Sequence, residues 1–323
     1  MGEFDFIGRH FKPLAGPGSY GLRNDGAVMS APFGHEIVVS SDTMVENVHF
    51  LPDDPPETVG RKLLRCNLSD LAAMDAKPLG YTLNSSIPHK GGPEGRYGEA
   101  WFAAFAKGLA EDQQRYAITL LGGDTTSTSG PLVMTLTIFG TVAEHKALTR
   151  SGASAGDSVW VTGHLGAARL GLEVRRGHLE DPTGKLVQAY RLPTPRVGLQ
   201  LGTVASAGLD ISDGIVQDAG HIAEESGVRL RLEASRLPIA AEAAAAPEHF
   251  QEMRLLGGDD YELLLTCPPG HEAALMARGL IMNVPLTRIG KVEALKKGEK
   301  PGVVMVGADG KPLSFTTPGW QHF

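Results

Sequence analysis

The sequence predicts a two-domain protein of the α/β or α+β class. Strand-like apolar runs alternate with helix-like amphipathic runs along the whole chain, which is typical of mixed sheets packed against helices. The length of 323 residues allows about two domains at roughly 150 residues each. A small, polar, Gly-containing stretch at 149–158 interrupts the pattern. We therefore expect one domain over residues 1–148 and a second over residues 149–323.

The first half of the chain predicts three strands and two helices. The segment at 56–76 reads as a helix, because Pro56 suits a first helical turn and Lys77-Pro78 ends the pattern. A second helix is predicted from three large apolar residues at a spacing of four, Trp101, Phe105 and Leu109. This second helix is expected over 94–114. The predicted strands are at 35–41, 116–124 and 130–142.

The second half predicts short strands joined by turns and helices. Residues 208–227 read as a short strand, a Ser-Asp-Gly turn and a helix whose core face is Ile215, Ala219 and Ile222. The Asp-Gly pair within 302–315 predicts a closing hairpin. The remaining predicted elements are strands at 159–163, 228–235, 261–267 and 287–293, and a helix at 164–177.

Composition excludes several classes of protein. Hydrophobic residues make up 42% and charged residues 21%, as in ordinary globular proteins. A formal net charge of −7 argues against a nucleic-acid-binding surface. Cys66 and Cys267 are too far apart in sequence to form a zinc motif, and they indicate a reducing compartment. With no signal-like N-terminus and no long apolar run, we expect a cytoplasmic protein without membrane or nucleic-acid partners.

The common phosphate-binding loops are absent from the sequence. Gly16, Gly18 and Gly21 have the G-x-G-x-x-G spacing, but no strand precedes them and no helix follows. The P-loop pattern and the protein-kinase catalytic motifs do not occur. If the protein binds ATP, it does so with a different loop.

Six aspartates lie among small residues at predicted strand or helix ends, where Asp often caps a turn. Asp70 is the most informative, because it shares the apolar face of the 56–76 helix with Cys66 and Met74. A carboxylate there is costly unless it binds a metal ion or forms a salt bridge with a distant Arg. Both alternatives stay open. The six are Asp25, Asp42, Asp70, Asp124, Asp210 and Asp213.

Such a set of carboxylates predicts a metal-phosphate site. Carboxylates brought together repel one another, and Mg²⁺ relieves the repulsion with a preference for oxygen ligands. Ser40 and Ser41 can add hydroxyl or carbonyl oxygens beside Asp42. Ser212 and Asp213 suit the N-terminus of the following helix, which also attracts phosphate. We therefore expect several Mg²⁺ ions with bound phosphates.

Six motifs together resemble the thiamine-monophosphate kinase family, in that family's order and over nearly the whole chain. They are VVSSDTMVENVHF (38–50), NLSDLAAMDAKP (67–78), LLGGDTT (120–126), LTRSGASAGDSVWVTGHLG (148–166), DISDGIVQDAGHI (210–222) and GGDDYELLLT (257–266). The resemblance implies a synthetase-like two-domain fold with mixed sheets, a non-P-loop ATP site between the domains, and a homodimer formed through the N-terminal sheet. It also implies direct in-line transfer from ATP to thiamine monophosphate, giving thiamine diphosphate.

The resemblance implies three sets of contacts, residue by residue. The Mg²⁺ set is Asp25, Ser40, Ser41, Asp42, Asp70, Asp124, Asp210 and Asp213, with Asp42, Asp70 and Asp124 as its catalytic members. The ATP set is Gly123, Asp124, Arg150 and Ser212. The substrate set is His49, Asp259 and Trp320.

His49 is expected to orient the acceptor rather than to act as a base, because a phosphate oxygen is already a good nucleophile. Three residues depart from the family pattern: Asn24 replaces an Asp, Asp75 a Gly, and Asp259 a Glu, which shortens a substrate contact by one methylene. Two alternatives remain at this point. The protein could be another ATP-dependent synthetase of the same superfamily, or a nucleotide-binding sensor without catalysis.

Overall fold

The computed structural model describes residues 3–315 and Gly319, so the predicted substrate contact Trp320 lies outside the described residues. The fold divides into two units. One consists of Met1–Leu71 and Ala76–His145, and the other of Ala72–Asp75 and Lys146–Phe323. Among the described residues, no helix has the length and apolar character needed to cross a membrane.

The first unit is built on a four-stranded mixed sheet within the described residues. Its strands follow the spatial order β1, β4, β2, β3; β2 and β3 are parallel, and the other pairs are antiparallel. The strands are β1 (His35–Val45), β2 (Lys77–Pro88), β3 (Leu120–Thr128) and β4 (Val133–Ala143).

The helices of the first unit are α1 (Glu3–His10), α2 (Pro56–Ala73) and α3 (Glu99–Tyr116). Four leucines of α2 are completely buried, which confirms the apolar character read from its sequence: Leu63, Leu64, Leu68 and Leu71. The buried ion pair between Arg65 Nε and Asp112 Oδ2, 2.5 Å apart, joins α2 to α3. These contacts fix α2, and with it the position of Asp70.

The second unit contains a six-stranded sheet within the described residues, in the order β10, β7, β9, β5, β8, β6. Its strands are β5 (Ser158–Thr162), β6 (Ala207–Asp210), β7 (Arg229–Glu233), β8 (Leu263–Cys267), β9 (Leu286–Glu293) and β10 (Gly302–Val306). Its helices are α4 (Ala167–Arg175), α5 (Lys185–Arg191), α6 (Ile215–Ser226), α7 (Ala241–Ala244), α8 (Gln251–Leu256) and α9 (Glu272–Met282). The predicted core face of α6 is confirmed, because Ile215, Ala219 and Ile222 are all buried.

Several predicted boundaries differ from the structure. Helix α2 ends at Ala73 rather than at residue 76, because Asp75 adopts a left-handed φ of 57°. The strand expected from residue 116 begins at Leu120, since α3 continues to Tyr116. The expected closing hairpin at 302–315 is present but short: an antiparallel bridge joins Val306 to Pro312, and the Leu313 N–H donates to the Met305 carbonyl at 2.8 Å. Strand β10 also pairs in parallel with β7, which the sequence did not predict.

Strand β2 was absent from the sequence prediction, although it lies inside the first sheet. Tyr81, Leu83 and Ser85 are buried at alternate positions, which is a period-two signal. The intervening polar residues and the Pro at its start obscured that signal. The sheet supplies β2 with two neighbours, so pairing overrides its weak local preference.

Candidate active site

The side chains of β1 alternate between two faces of the first sheet. Ser40 and Asp42 lie with the buried residues Val38 and Met44. Ser41 lies on the opposite face, where its Oγ is 2.9 Å from Thr137 Oγ1 on β4. The Ser-Ser-Asp sequence therefore delivers Ser40 and Asp42 side chains to one face and the Ser41 hydroxyl to the other.

Helix α2 places Asp70 next to this pair. Ser40 Oγ donates a hydrogen bond to Asp70 Oδ2 at 2.6 Å. The Asp42 backbone N–H donates to Asn67 Oδ1 at 3.2 Å. Asn67 and Asp70 are one helical turn apart, so the same face of α2 contacts consecutive inward positions of β1. Ser40, Asp42 and Asp70 thus form one oxygen-rich group, which we call the β1–α2 cluster.

Asp124 lies apart from the β1–α2 cluster. Its backbone N–H donates to Asn84 Oδ1 at 2.9 Å, and both residues are exposed. Across the sheet, Asp124 pairs with Asn84, Asn84 with Thr135, and Thr135 with Thr43. Paired residues lie on the same face, and Thr43 follows Asp42 directly in β1, so Asp124 is on the face opposite Asp42. Three interstrand steps separate β3 from β1, about 14 Å. Asp42 and Asp124 of one chain therefore cannot ligate the same ion within this unit.

Gly123 and Asp25 are the other predicted site residues of the first unit. A Cβ on Gly123 would meet the Leu83 carbonyl oxygen at 1.8 Å, so only glycine fits at this approach of β3 to β2. Asp25 is exposed and lies in the irregular segment that precedes β1.

The loop that follows β1 holds His49 in a tight turn. Asn47 has a left-handed φ of 66°. The His49 backbone N–H donates to the Val45 carbonyl at 3.0 Å, and the buried Phe50 anchors the end of the turn. His49 Nδ1 accepts a hydrogen bond from the Val45 backbone N–H at 3.0 Å. The imidazole is therefore fixed from its δ side.

The second unit forms the Asp210–Gly214 turn, which connects β6 to α6. Asp210 ends β6, and Gly214 precedes the first residue of α6. The buried Asp218 carboxylate accepts hydrogen bonds from the backbone N–H groups of Asp213 and Gly214, both at 3.0 Å. Burial, assisted by the nearby Asp213 and Asp210 carboxylates, raises the pKa of Asp218 to about 7. The carboxyl groups of Asp210, Asp213 and Asp218 thus lie close together at this turn.

The loop over 257–261 packs directly on the Asp210–Gly214 turn. The Asp259 N–H donates to the Ser212 carbonyl, and the Tyr261 N–H to the Ile211 carbonyl, both at 2.8 Å. A Cβ on Gly258 would meet the Ser212 carbonyl oxygen at 2.0 Å. The structure therefore brings the predicted substrate contact Asp259 next to the predicted ATP contact Ser212.

Two further carboxylates stabilise the chain after Asp259. Asp260 accepts a hydrogen bond from the Gly166 backbone N–H at the start of α4, and Glu262 accepts from Arg196 Nε at 2.6 Å. Desolvation raises the pKa of Asp260 well above its usual range. It also raises the pKa of Glu262, although Arg196 opposes the effect. These contacts tie the 257–261 loop to the start of α4 and to Arg196 within the second unit.

Arg150, predicted to contact ATP, is exposed. Its backbone carbonyl accepts a hydrogen bond from Ser226 Oγ at the end of α6. This bond fixes the backbone at residue 150 and leaves the guanidinium at the surface. The position of Arg150 is thus compatible with a phosphate contact.

Across residues 3–315, no group of three or more His, Cys, Asp and Glu side chains is arranged to hold a metal ion. The oxygen groups nevertheless suit Mg²⁺, which usually takes one or two carboxylates and completes its shell with water and substrate phosphates. Asp42 and Asp70 in the β1–α2 cluster, and Asp210 and Asp213 beside Asp218, are such sets. The donor chemistry therefore fits the implied ion.

Sequence reasoning missed two residues that support the site. Asp218 was not singled out, although it lies in the first turn of α6, four residues after Gly214. Lys62 was also missed; it is buried on α2, and its Nζ donates to the His49 carbonyl at 3.1 Å. Lys62 could have been noticed in the sequence, because it lies three residues after Val59 and four before Cys66, on an otherwise apolar helix face.

Comparison with known proteins identifies the family. Residues 23–142 match the family described as AIR synthase related protein, N-terminal domain, and residues 154–300 match its C-terminal domain. The thiamine-monophosphate kinase of Caulobacter vibrioides is 38% identical over 99% of this chain and 90% of its own length. The chain belongs to the thiamine-monophosphate kinase family. The resemblance inferred from the six motifs is confirmed.

Solved structures of thiamine-monophosphate kinases have the same fold. The enzyme from Stenotrophomonas maltophilia K279a aligns with a TM-score of 0.79 and 34% identity, covering 90% of this chain and 91% of its own. A complex described as AaThiL with AMPPCP and TMP aligns with a TM-score of 0.76 and 29% identity, covering 93% of this chain and 91% of its own. The predicted two-domain, mixed-sheet architecture is confirmed.

Proposed function

We propose that this protein transfers the terminal phosphoryl group of ATP to thiamine monophosphate, giving thiamine diphosphate and ADP. The observation that carries the proposal is a structural relative whose complex contains both an ATP analogue and TMP and whose fold covers 93% of this chain. Full-length sequence similarity to thiamine-monophosphate kinases supports the same reaction.

The chemistry requires little covalent assistance from side chains. The acceptor is a phosphate oxygen, so the protein must bring two anions into line and compensate their charge. Bound Mg²⁺ would neutralise the charge on the phosphates. The chain's own carboxylates would orient the bound groups, and no general base is required.

We propose that the residues implied by the family pattern perform these roles. The proposed Mg²⁺ ligands are Asp25, Ser40, Ser41, Asp42, Asp70, Asp124, Asp210 and Asp213. The β1–α2 cluster supports this assignment for Ser40, Asp42 and Asp70. The turn that the Asp218 carboxylate holds through the Asp213 and Gly214 N–H groups supports it for Asp210 and Asp213. Because the Ser41 hydroxyl lies on the opposite face, Ser41 would contribute its backbone oxygen.

The proposed ATP contacts are Gly123, Asp124, Arg150 and Ser212, and the proposed substrate contacts are His49, Asp259 and Trp320. The close backbone approach at Gly123 and the contact between the Ser212 and Asp259 loops support this grouping. Asp259 has the left-handed φ of 69°, so its backbone conformation is compatible with a short acidic side chain.

We propose that two copies pair through the open face of the first sheet. That face carries the exposed Ile37 and Val39 of β1, together with a row of hydroxyl groups that includes Ser41 and Thr137. Exposed apolar side chains on a sheet face are a common feature of interfaces. Asp124 lies on this same face, so dimerisation would enclose it. The reaction is expected in the cytoplasm, where the buried thiols of Cys66 and Cys267 stay reduced.

A direct assay tests the function. Purified protein is incubated with Mg²⁺ and ATP, with and without thiamine monophosphate, and ADP and thiamine diphosphate are measured by chromatography. We expect equal amounts of both products, and only with the acceptor present. ATP binding without ADP formation would instead favour a sensor, and ADP formation independent of thiamine monophosphate would favour a sibling synthetase.

Sedimentation velocity tests the dimer. Val39→Lys places a charge on the proposed interface and should give monomers at micromolar concentration. Leu280→Lys is the matched control, because Leu280 is an exposed apolar residue of α9 in the other unit. Dimers in both variants would show that copies pair elsewhere.

A further inference from the structure

The contacts of the His49 ring define which of its nitrogens accepts a hydrogen bond and which donates one. The Val45 backbone N–H is a donor, so the His49 Nδ1 that faces it at 3.0 Å must be an acceptor and carries no proton. A neutral imidazole with an unprotonated Nδ1 has its hydrogen on Nε2. His49 therefore presents an Nε2–H donor on the side opposite Val45, which suits an anionic oxygen.

A second contact holds the same residue from its backbone. Lys62 Nζ donates to the His49 carbonyl oxygen at 3.1 Å. Lys62 is only 3% exposed and lies on α2, two turns before Asp70. The buried ammonium therefore connects the loop that carries His49 to the helix that carries Asp70.

We propose that Lys62 is a positioning residue for the phosphate acceptor: it holds His49 so that its Nε2–H meets an anionic oxygen of thiamine monophosphate. This inference rests on the proposed function. It adds a residue outside the predicted site and a specific donor atom. A buried charged group that bonds a loop carbonyl restricts that loop, and small displacements of a substrate contact have large kinetic effects.

The donor atom is tested with two amide substitutions. Gln places an amide N–H near the position of Nε2, whereas Asn places one near Nδ1. His49→Gln should keep the KM for thiamine monophosphate within about threefold of wild type, and His49→Asn should raise it by about tenfold. The KM for ATP should stay constant in both. If Asn preserves the acceptor KM and Gln does not, the donor assignment is wrong.

The role of Lys62 is tested with a double-mutant cycle. Lys62→Met keeps most of the side-chain volume and removes the donor. It should raise the KM for thiamine monophosphate by about tenfold in the wild-type background and by less than about twofold in the His49→Ala background. A general structural role would give the same factor in both backgrounds, and that result would overturn the proposal.

Lys62→Arg provides a second variant that keeps a charged donor. It should retain the acceptor KM within about threefold. If Lys62→Met does not fold, the Arg variant decides: an acceptor KM raised equally with and without His49 would contradict the positioning role.

A spectroscopic measurement separates this inference from the proposed function. In protein labelled with ¹⁵N-histidine, long-range ¹H–¹⁵N correlation spectra identify which ring nitrogen of His49 carries hydrogen. We expect hydrogen on Nε2 in the wild type, whether or not the protein phosphorylates thiamine monophosphate. Hydrogen on Nδ1 would refute the donor assignment, whereas failure of the kinase assay alone would refute the reaction.

Discussion

The two acidic regions of this protein are held by different kinds of contact. In the first unit, the β1–α2 cluster depends on side chains, because Ser40 bonds Asp70 and Asn67 bonds the Asp42 backbone. In the second unit, the Asp210–Gly214 turn is held by backbone N–H groups that donate to the buried Asp218. The first arrangement leaves its carboxylates half-buried for ligands. In the second arrangement, the backbone of the Asp210–Gly214 turn is bonded directly to a buried side chain.

This difference predicts that substitutions in the two regions differ in their effect on stability. Changes in the β1–α2 cluster should reduce activity with little effect on stability, whereas changes around the Asp210–Gly214 turn should reduce stability as well. The following experiments would confirm or contradict that contrast.

The largest effect is expected from Asp42→Asn. Loss of the charge should lower kcat by about 100-fold or more, because the Asp42 carboxylate would hold a Mg²⁺ ion that compensates the charge of the phosphates. The melting temperature in metal-free buffer should remain nearly unchanged, since Asn has the size of Asp and keeps the backbone bond to Asn67. Asp309→Asn, which makes the same change at an exposed turn of the second unit, is the control and should retain activity. Full activity in Asp42→Asn would remove Asp42 from the site.

The next effect is expected from Gly258→Ala. The added Cβ would meet the Ser212 carbonyl oxygen at 2.0 Å, so the two loops must separate, at a cost of about 2–4 kcal/mol in the free energy of unfolding. Gly220→Ala is the matched control, because nothing lies within 4 Å of its Cβ inside α6. It should stabilise the protein by about 0.5–1 kcal/mol. Urea denaturation measures both values, and equal stability in the two variants would contradict the packing of the loops.

The smallest effect, taken for each pH unit, is the pH dependence that Asp218 contributes. Its pKa is about 7 in the folded protein and about 3.9 in an unfolded chain. Between these values the folded state binds more protons, so raising the pH favours unfolding. In metal-free buffer, the stability of wild type relative to Asp218→Asn should fall by about 1 kcal/mol for each pH unit from about 4 to 7. Parallel curves would show that Asp218 is ionised throughout.

One departure from the family pattern has a local explanation. Asp75 occupies a position where the resemblance expects Gly, and its left-handed φ of 57° is one that Gly adopts without strain. Asp also tolerates this conformation, and here its Oδ2 accepts the Gly202 backbone N–H at 2.8 Å. A sequence comparison marks this residue as unusual, but only the fold reveals its partner.

Features that depend on local pattern could be predicted from the amino-acid sequence. The buried face of α2, the turn before α6 and the order of the family motifs were all readable, because helical spacing and turn chemistry involve residues close in the chain. The six motifs also determined the family. The unpredicted β2 marks the limit of such patterns, since that strand owes its stability to its neighbours in the sheet.

Tertiary structure alone decided which predicted groups share a location. Asp42 and Asp124 both lie next to small residues in a strand, so their sequence contexts look alike. The register across four strands nevertheless places their side chains on opposite faces of the sheet. The Lys62 contact with His49 and the Asp218 contacts with the Asp210–Gly214 turn likewise depend on how helices pack. A change of one residue in strand register reverses the face of every side chain. No local pattern carries that information.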